Sequence, residues 1–176
     1  MMSALVVYED QRSRRRAELV CDDLVNRSWP QIEFRFNWWR TDFLEDPGMA
    51  AMVAPDAAQA DLIIFSGGPD KELSRNVVAW FEAWAERRNG LDGALMDLTE
   101  TGGPLNAAAH HKKTFLREIA RRTMMGYLSR PAAEGPVPAQ RPGNEAPLTS
   151  PNLTVVIDNL AHTEHLAAVR AASAAA

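Results

Sequence analysis

The first 128 positions switch repeatedly between two hydrophobic periods. Ala4-Leu-Val-Val-Tyr8, Asp61-Leu-Ile-Ile-Phe65 and Gly93-Ala-Leu-Met-Asp-Leu98 are short, nearly unbroken apolar runs. That pattern predicts parallel strands covered on both faces. Ile32, Phe34, Phe36 and Trp38 instead alternate with Glu33, Arg35 and Asn37, which predicts a half-exposed strand at a sheet edge. A helical spacing of three and four separates these runs. Ala17, Val20, Cys21, Leu24 and Val25 form one stripe, with Ser13 as the expected cap and Pro30 beyond the end. Leu73, Val77, Trp80, Phe81 and Trp84 form the clearest stripe, which stops near Asn89-Gly90. Phe115, Leu116, Ile119, Ala120 and Thr123 mark the last strong helix, and Met124 to Leu128 reads as a fifth strand. Met49 to Ala60 reads as a poor helix interrupted by Pro55.

Strands that alternate with helices of this length imply a parallel sheet with helices on both faces. With the second strand at an edge, the expected architecture is a three-layer, doubly wound α/β fold, flavodoxin-like, of strand order 2-1-3-4-5. Composition limits it to residues 1–128. Six of the eleven prolines lie between Pro131 and Pro151, in a stretch with too few large apolar residues to offset the entropy of ordering. Residues 129–152 therefore read as a Pro-rich flexible linker, and 153–176 as a short strand followed by an Ala-rich tail.

Charge and cysteine content narrow the classes. A net charge of −4 lacks the basic excess of a nucleic-acid-binding surface. The single cysteine, Cys21, excludes an intrachain disulfide framework, and no four-ligand zinc spacing is present. No apolar run approaches the ~20 residues of a membrane helix. A cytoplasmic protein is the expectation, with no membrane and no nucleic-acid partner.

In a doubly wound sheet, ligands bind beyond the carboxyl ends of the strands. Three loops would build that crest: Glu9-Asp10, Ser66-Gly67-Gly68 and Thr99-Glu100. Two adjacent acids suit a hard cation such as Mg²⁺, so Glu9 and Asp10 are candidate metal ligands and no other cofactor is expected. Glycines at 67 and 68 would allow close approach by an anion. The plainer alternative is that such loops use Asp, Ser, Gly and Thr for turns and caps.

The layout resembles the receiver domain of bacterial response regulators over residues 3–128. Glu9 and Asp10 stand where that family has its acidic pair, and Thr99 where it has a hydroxyl residue. Ser66 occupies the phosphoacceptor position, and no lysine follows Met124. The resemblance thus implies a degenerate, pseudo-receiver module for signalling or protein interaction, without aspartyl-phosphate chemistry. The chain is also similar to a bacterial group of proteins with the same strand–helix pattern, a likeness that implies no activity. The alternative is an enzyme or a binder of phosphate, nucleotide or a divalent cation at the crest.

Other constellations carry less. Acids in Glu9-Asp10-Gln11-Arg12 would repel the phosphate of a flavin mononucleotide. Ser66 with His110 or His111 as base lacks the first glycine of G-x-S-x-G. His110 and His111 point about 100° apart on a helix, and His162 and His165 share a face only on the tail. Arg12, Arg15 and Arg16, with Arg14, oppose the helix dipole. They read either as an anion-binding or acidic-partner surface or as a solvated face paired with Glu9, Asp10 or Glu18. Trp38 and Trp39 point to opposite sides of their strand, so burial of one ring would expose the other; the exposed ring is either an anchor for a protein partner or self-association, or covered by the 40–60 segment or by the 153–158 strand adding to the sheet edge.

Overall fold

The computed structural model describes residues 1–28, 30–88, 90–102 and 106–129. Contacts divide the chain after Ser129. The linker expected at 129–152 (beyond Ser129), the tail strand and helix at 153–176, and His162 and His165 lie outside the described residues.

The elements run β1 (Met2–Tyr8), α1 (Gln11–Ser28), β2 (Phe34–Arg40), α2 (Thr41–Leu44), α3 (Pro47–Gln59), β3 (Leu62–Ser66), α4 (Arg75–Arg87), β4 (Ala94–Asp97), α5 (Ala107–Arg122) and β5 (Gly126–Ser129). The five strands form one sheet in the order β2-β1-β3-β4-β5, and every pairing is parallel. The fold is flavodoxin-like. The alternating pattern at 32–38 belongs to the edge strand and the continuous runs belong to the three central strands, as strand burial requires.

Side-chain parity divides the core. Leu5, Val7, Ile63, Phe65 and Leu95 pack with α3, α4 and α5, where Phe81, Trp80, Trp84, Leu116 and Ile119 are buried. Alternate residues Ala4, Val6, Leu62 and Ile64 are equally buried and lie on the opposite face, toward Ala17, Val20, Cys21 and Leu24 of α1. Trp80 and Trp84 are core residues, as their stripe predicts.

Several boundaries differ from the sequence reading. α1 begins before Ser13: Asp10 is the cap, and its Oδ1 accepts the Ser13 N–H at 2.8 Å while Ser13 Oγ accepts the Asp10 N–H at 2.8 Å. This reciprocal pair satisfies two donors left open at a helix start. α3 continues through Pro55 instead of breaking. Asp46 caps it by accepting the Met49 N–H, Pro47 occupies the first turn, and Val53, Ala54, Ala57 and Ala58 bury one side. Packing of that side outweighs the missing donor at 55. β5 starts at Gly126, two residues late, because Met124 takes a left-handed conformation (φ 57°) that ends α5.

Candidate functional site

β1, β3 and β4 each end at the crest, and their parity decides which side chains open outward. Ser66 shares parity with Leu62 and Ile64, so its side chain turns beneath α1. It is fully buried, and its hydroxyl donates to the Ser13 carbonyl at 2.8 Å. A nucleophilic role would need that proton to face a base. His111 instead pairs with Glu72 at 3.0 Å on the surface, and His110 is exposed.

Glu9 turns toward β3 and α5. Its Oε2 accepts the Gly68 N–H at 2.7 Å, and its Oε1 accepts from Lys112 Nζ at 2.7 Å. Lys112 also donates to the Gly68 carbonyl at 2.6 Å. The Lys112 side chain has 0% exposure and Glu9 only 8%, so the pair is removed from water and its geometry is fixed by the loop between them. Gly67 is required here by crowding: a Cβ would stand 2.8 Å from the Phe65 ring and 3.1 Å from the Glu9 carboxyl. The glycines of this loop therefore let a protein carboxylate approach.

Asp10 faces away from Glu9 and caps α1. The Ser13 backbone N–H holds its carboxyl below the usual range, partly opposed by burial. As arranged, the two neighbouring acids do not share one cation shell: one is ion-paired to Lys112 and the other belongs to a cap. Among the described residues, no group of three or more His, Cys, Asp or Glu is placed to hold a metal ion.

The arginine cluster closes on the third loop. Arg16 Nη1 donates to Glu100 Oε1 at 2.6 Å and Arg16 Nη2 to the Gly67 carbonyl at 2.8 Å. Arg12 Nη2 adds a second contact to the same Glu100 oxygen at 3.2 Å. Arg14 pairs with Glu18 and lies over the Tyr8 ring, and Arg15 is exposed. Of the acids expected to balance the cluster, Glu18 pairs directly with Arg14, whereas Asp10 and Glu9 act on Arg16 through their charge alone, and Glu100 makes the direct contacts with Arg12 and Arg16. Burial pulls the Arg16 guanidinium below its ordinary pKa, against the opposing pull of Glu100.

β4 contributes a carboxylate absent from the sequence-level candidates. Asp97 is fully buried. Its Oδ1 accepts the Thr99 N–H at 2.8 Å and its Oδ2 the Tyr127 hydroxyl at 2.7 Å, with Lys113 Nζ at 3.8 Å. Burial first, then the Asp97 charge, raises the Tyr127 pKa. Thr99 is only 5% exposed, and its Oγ1 and Arg16 Nε are buried without hydrogen-bond partners. Of the candidates, Glu9, Gly67 and Gly68 join one network, Arg12, Arg16 and Glu100 a second one touching Gly67, and Asp10 and Ser66 meet at Ser13. Thr99 stands on the Asp97 side.

Lys112 was legible in principle. It follows Ala109 and precedes Leu116 and Ile119 on the buried stripe of α5, and a lysine at such a position needs a partner.

Trp38 and Trp39 are both half-buried, so neither ring meets the condition, full burial, under which the other was expected to be exposed. Trp39 packs on the core beneath the sheet. Trp38 lies against Tyr8 and Phe36 on the other face, with ring centroids 6.3 and 6.4 Å away. An edge strand is partly covered on both sides, so parity does not separate the two rings.

No protein-family model and no curated protein matches the chain. Among solved structures, the flavoenzyme FerB, an NAD(P)H:(acceptor) oxidoreductase from Paracoccus denitrificans, is similar with a TM-score of 0.47 at 12% identity, over 94% of this chain and 98% of that one. Among the described residues, no helix is long and apolar enough to cross a membrane.

Proposed function

We propose that the domain is a non-catalytic, receiver-like module for signalling or protein interaction. One observation carries this reading: the polar side chains at the ends of β1 and β3 are already committed to partners on α1 and α5. Glu9 is neutralised by buried Lys112, Asp10 is held in a helix cap, and Ser66 donates inward to Ser13. Phosphoryl transfer needs an acceptor free to attack and a cation to gather charge. Here the acceptor position is a buried hydroxyl and a lysine supplies the positive charge. Incubation with a small phosphodonor and Mg²⁺ should leave the protein without an alkali-labile acyl phosphate. Appearance of one would overturn the proposal.

A crest-binding alternative is favoured by the two unpartnered groups, Thr99 Oγ1 and Arg16 Nε. Both are donors, closed off from solvent as arranged, that a phosphate or nucleotide would reach only with the crest loops opened. A ligand present at 100 times its Kd stabilises a fold by about 2.7 kcal/mol. A thermal-shift panel of divalent cations, nucleotides, flavins and sugar phosphates therefore separates the readings. The interaction module should show no specific shift.

A further inference from the structure

The β2 edge carries few of the devices that ordinarily blunt a free sheet edge. In a parallel ladder, alternate residues of the edge strand direct both backbone groups inward. The Met2 N–H donates to the Glu33 carbonyl at 2.7 Å, and Met2 pairs with Phe34. Residues 33, 35, 37 and 39 therefore face β1. The N–H and C=O groups of Phe34, Phe36, Trp38 and Arg40 point out of the sheet. Among the described residues no further strand meets them. Natural edges are blunted by proline, bulges or free charges. β2 has seven residues, Phe34-Arg-Phe-Asn-Trp-Trp-Arg40, with no proline, and its pairing with β1 runs without a bulge. Arg40 is tied to Asp42 at 2.9 Å, which leaves Arg35 as its unpaired charge. On one face Phe34, Phe36 and Trp38 form a continuous half-exposed aromatic row, with centroids 5.5 and 6.4 Å apart.

We propose that β2 is a homodimerisation edge, pairing antiparallel with β2 of a second copy about a two-fold axis at Asn37. The strand's own sequence is complementary to itself in this pairing. In that register Phe36 opposes Trp38, Phe34 opposes Arg40, Arg35 opposes Trp39, and Asn37 opposes itself. All outward backbone groups of the strand find partners, and no like charges face each other. Aromatic pairs and arginine over tryptophan are favourable across strands. An Asn amide both donates and accepts, so it is complementary to its own copy. The two sheets would join into one continuous sheet, and the two aromatic rows into one strip. The interface is isologous, which closes at a dimer instead of propagating.

The inference rests on the interaction-module reading for its biological sense and supplies that module's partner. Asn37 lies at a non-hydrogen-bonded position, where facing Cα atoms stand about 4.5 Å apart, within disulfide reach. Two Arg35 residues would instead lie about 13 Å apart, four residues out of register. The full chain with Cys21→Ser and Asn37→Cys should form a disulfide-linked dimer on mild oxidation, and the Cys21→Ser, Arg35→Cys chain should not. The unmodified chain should sediment as a dimer, and Phe36→Glu should weaken association at least tenfold with its far-ultraviolet spectrum unchanged. A strict monomer at all concentrations overturns the pairing, as does equal cross-linking at positions 35 and 37. Either result, with no acyl phosphate formed, leaves the non-catalytic reading standing. A β2-dependent dimer that does form an acyl phosphate overturns that reading and leaves the pairing.

Discussion

Asp10 shows how a residue that resembles a metal ligand can serve the backbone. Its carboxylate accepts the Ser13 N–H at 2.8 Å, so Asp10→Ala should cost about 1 kcal/mol of unfolding free energy, the usual value of an N-cap. The sign with pH follows from its lowered pKa. The contribution is complete above the ordinary Asp value of 3.8 and disappears as pH falls through the lower folded value. Denaturant titrations of both proteins should therefore differ at neutral pH and converge in strong acid. Cys21 is only 4% exposed, and burial, with Asp22 and Glu18 adding to it, pushes its thiol pKa up to about 12. Thiolate is the reactive form. Ellman's reagent at mildly alkaline pH should leave Cys21 untouched in the native protein and titrate it after unfolding; rapid native labelling would contradict this burial.

At the level of elements, two buried cations tie the ends of the sheet. Lys112 joins α5 to the loops after β1 and β3. Removing one partner of a buried ion pair strands the other charge, at a cost of about 3–5 kcal/mol. Lys112→Met should show such a loss in urea unfolding. Combining it with Glu9→Gln should cost less than the two single losses added together, because they share one interaction. Arg88 does the opposite end. Its guanidinium donates to the carbonyls of Ala58, Ala60, Leu91 and Asp92, gathering the end of α3 and the connection into β4. A lysine has the charge without the fork, so Arg88→Lys should destabilise by roughly 1–3 kcal/mol, the penalty for buried carbonyls left unpaired. Equal stability of the two proteins would show that water replaces the fork.

The molecule as a whole divides after Ser129, and the five strands of the described residues lie within Met1–Ser129. A fragment of residues 1–129 should unfold in one transition, with far-ultraviolet dichroism and tryptophan fluorescence coincident, since Trp80 and Trp84 sit in the shared core. Separated transitions would show that the core is completed from outside the fragment. The five strands, their order and the edge position of β2 were legible because hydrophobic period is a local property: each run reports how many of its own faces are covered. Trp80 and Trp84 followed from the same periodicity. The crest was legible only as a set of loops. Its chemistry depends on pairs remote in sequence, Glu9 with Lys112 and Arg16 with Glu100, and charges carry no period by which one could locate the other. Local patterning thus determined the sheet and the loops at its end. Only tertiary structure decided that those loops close on lysine and arginine, because a buried charge is held by whatever opposite charge the fold brings within reach.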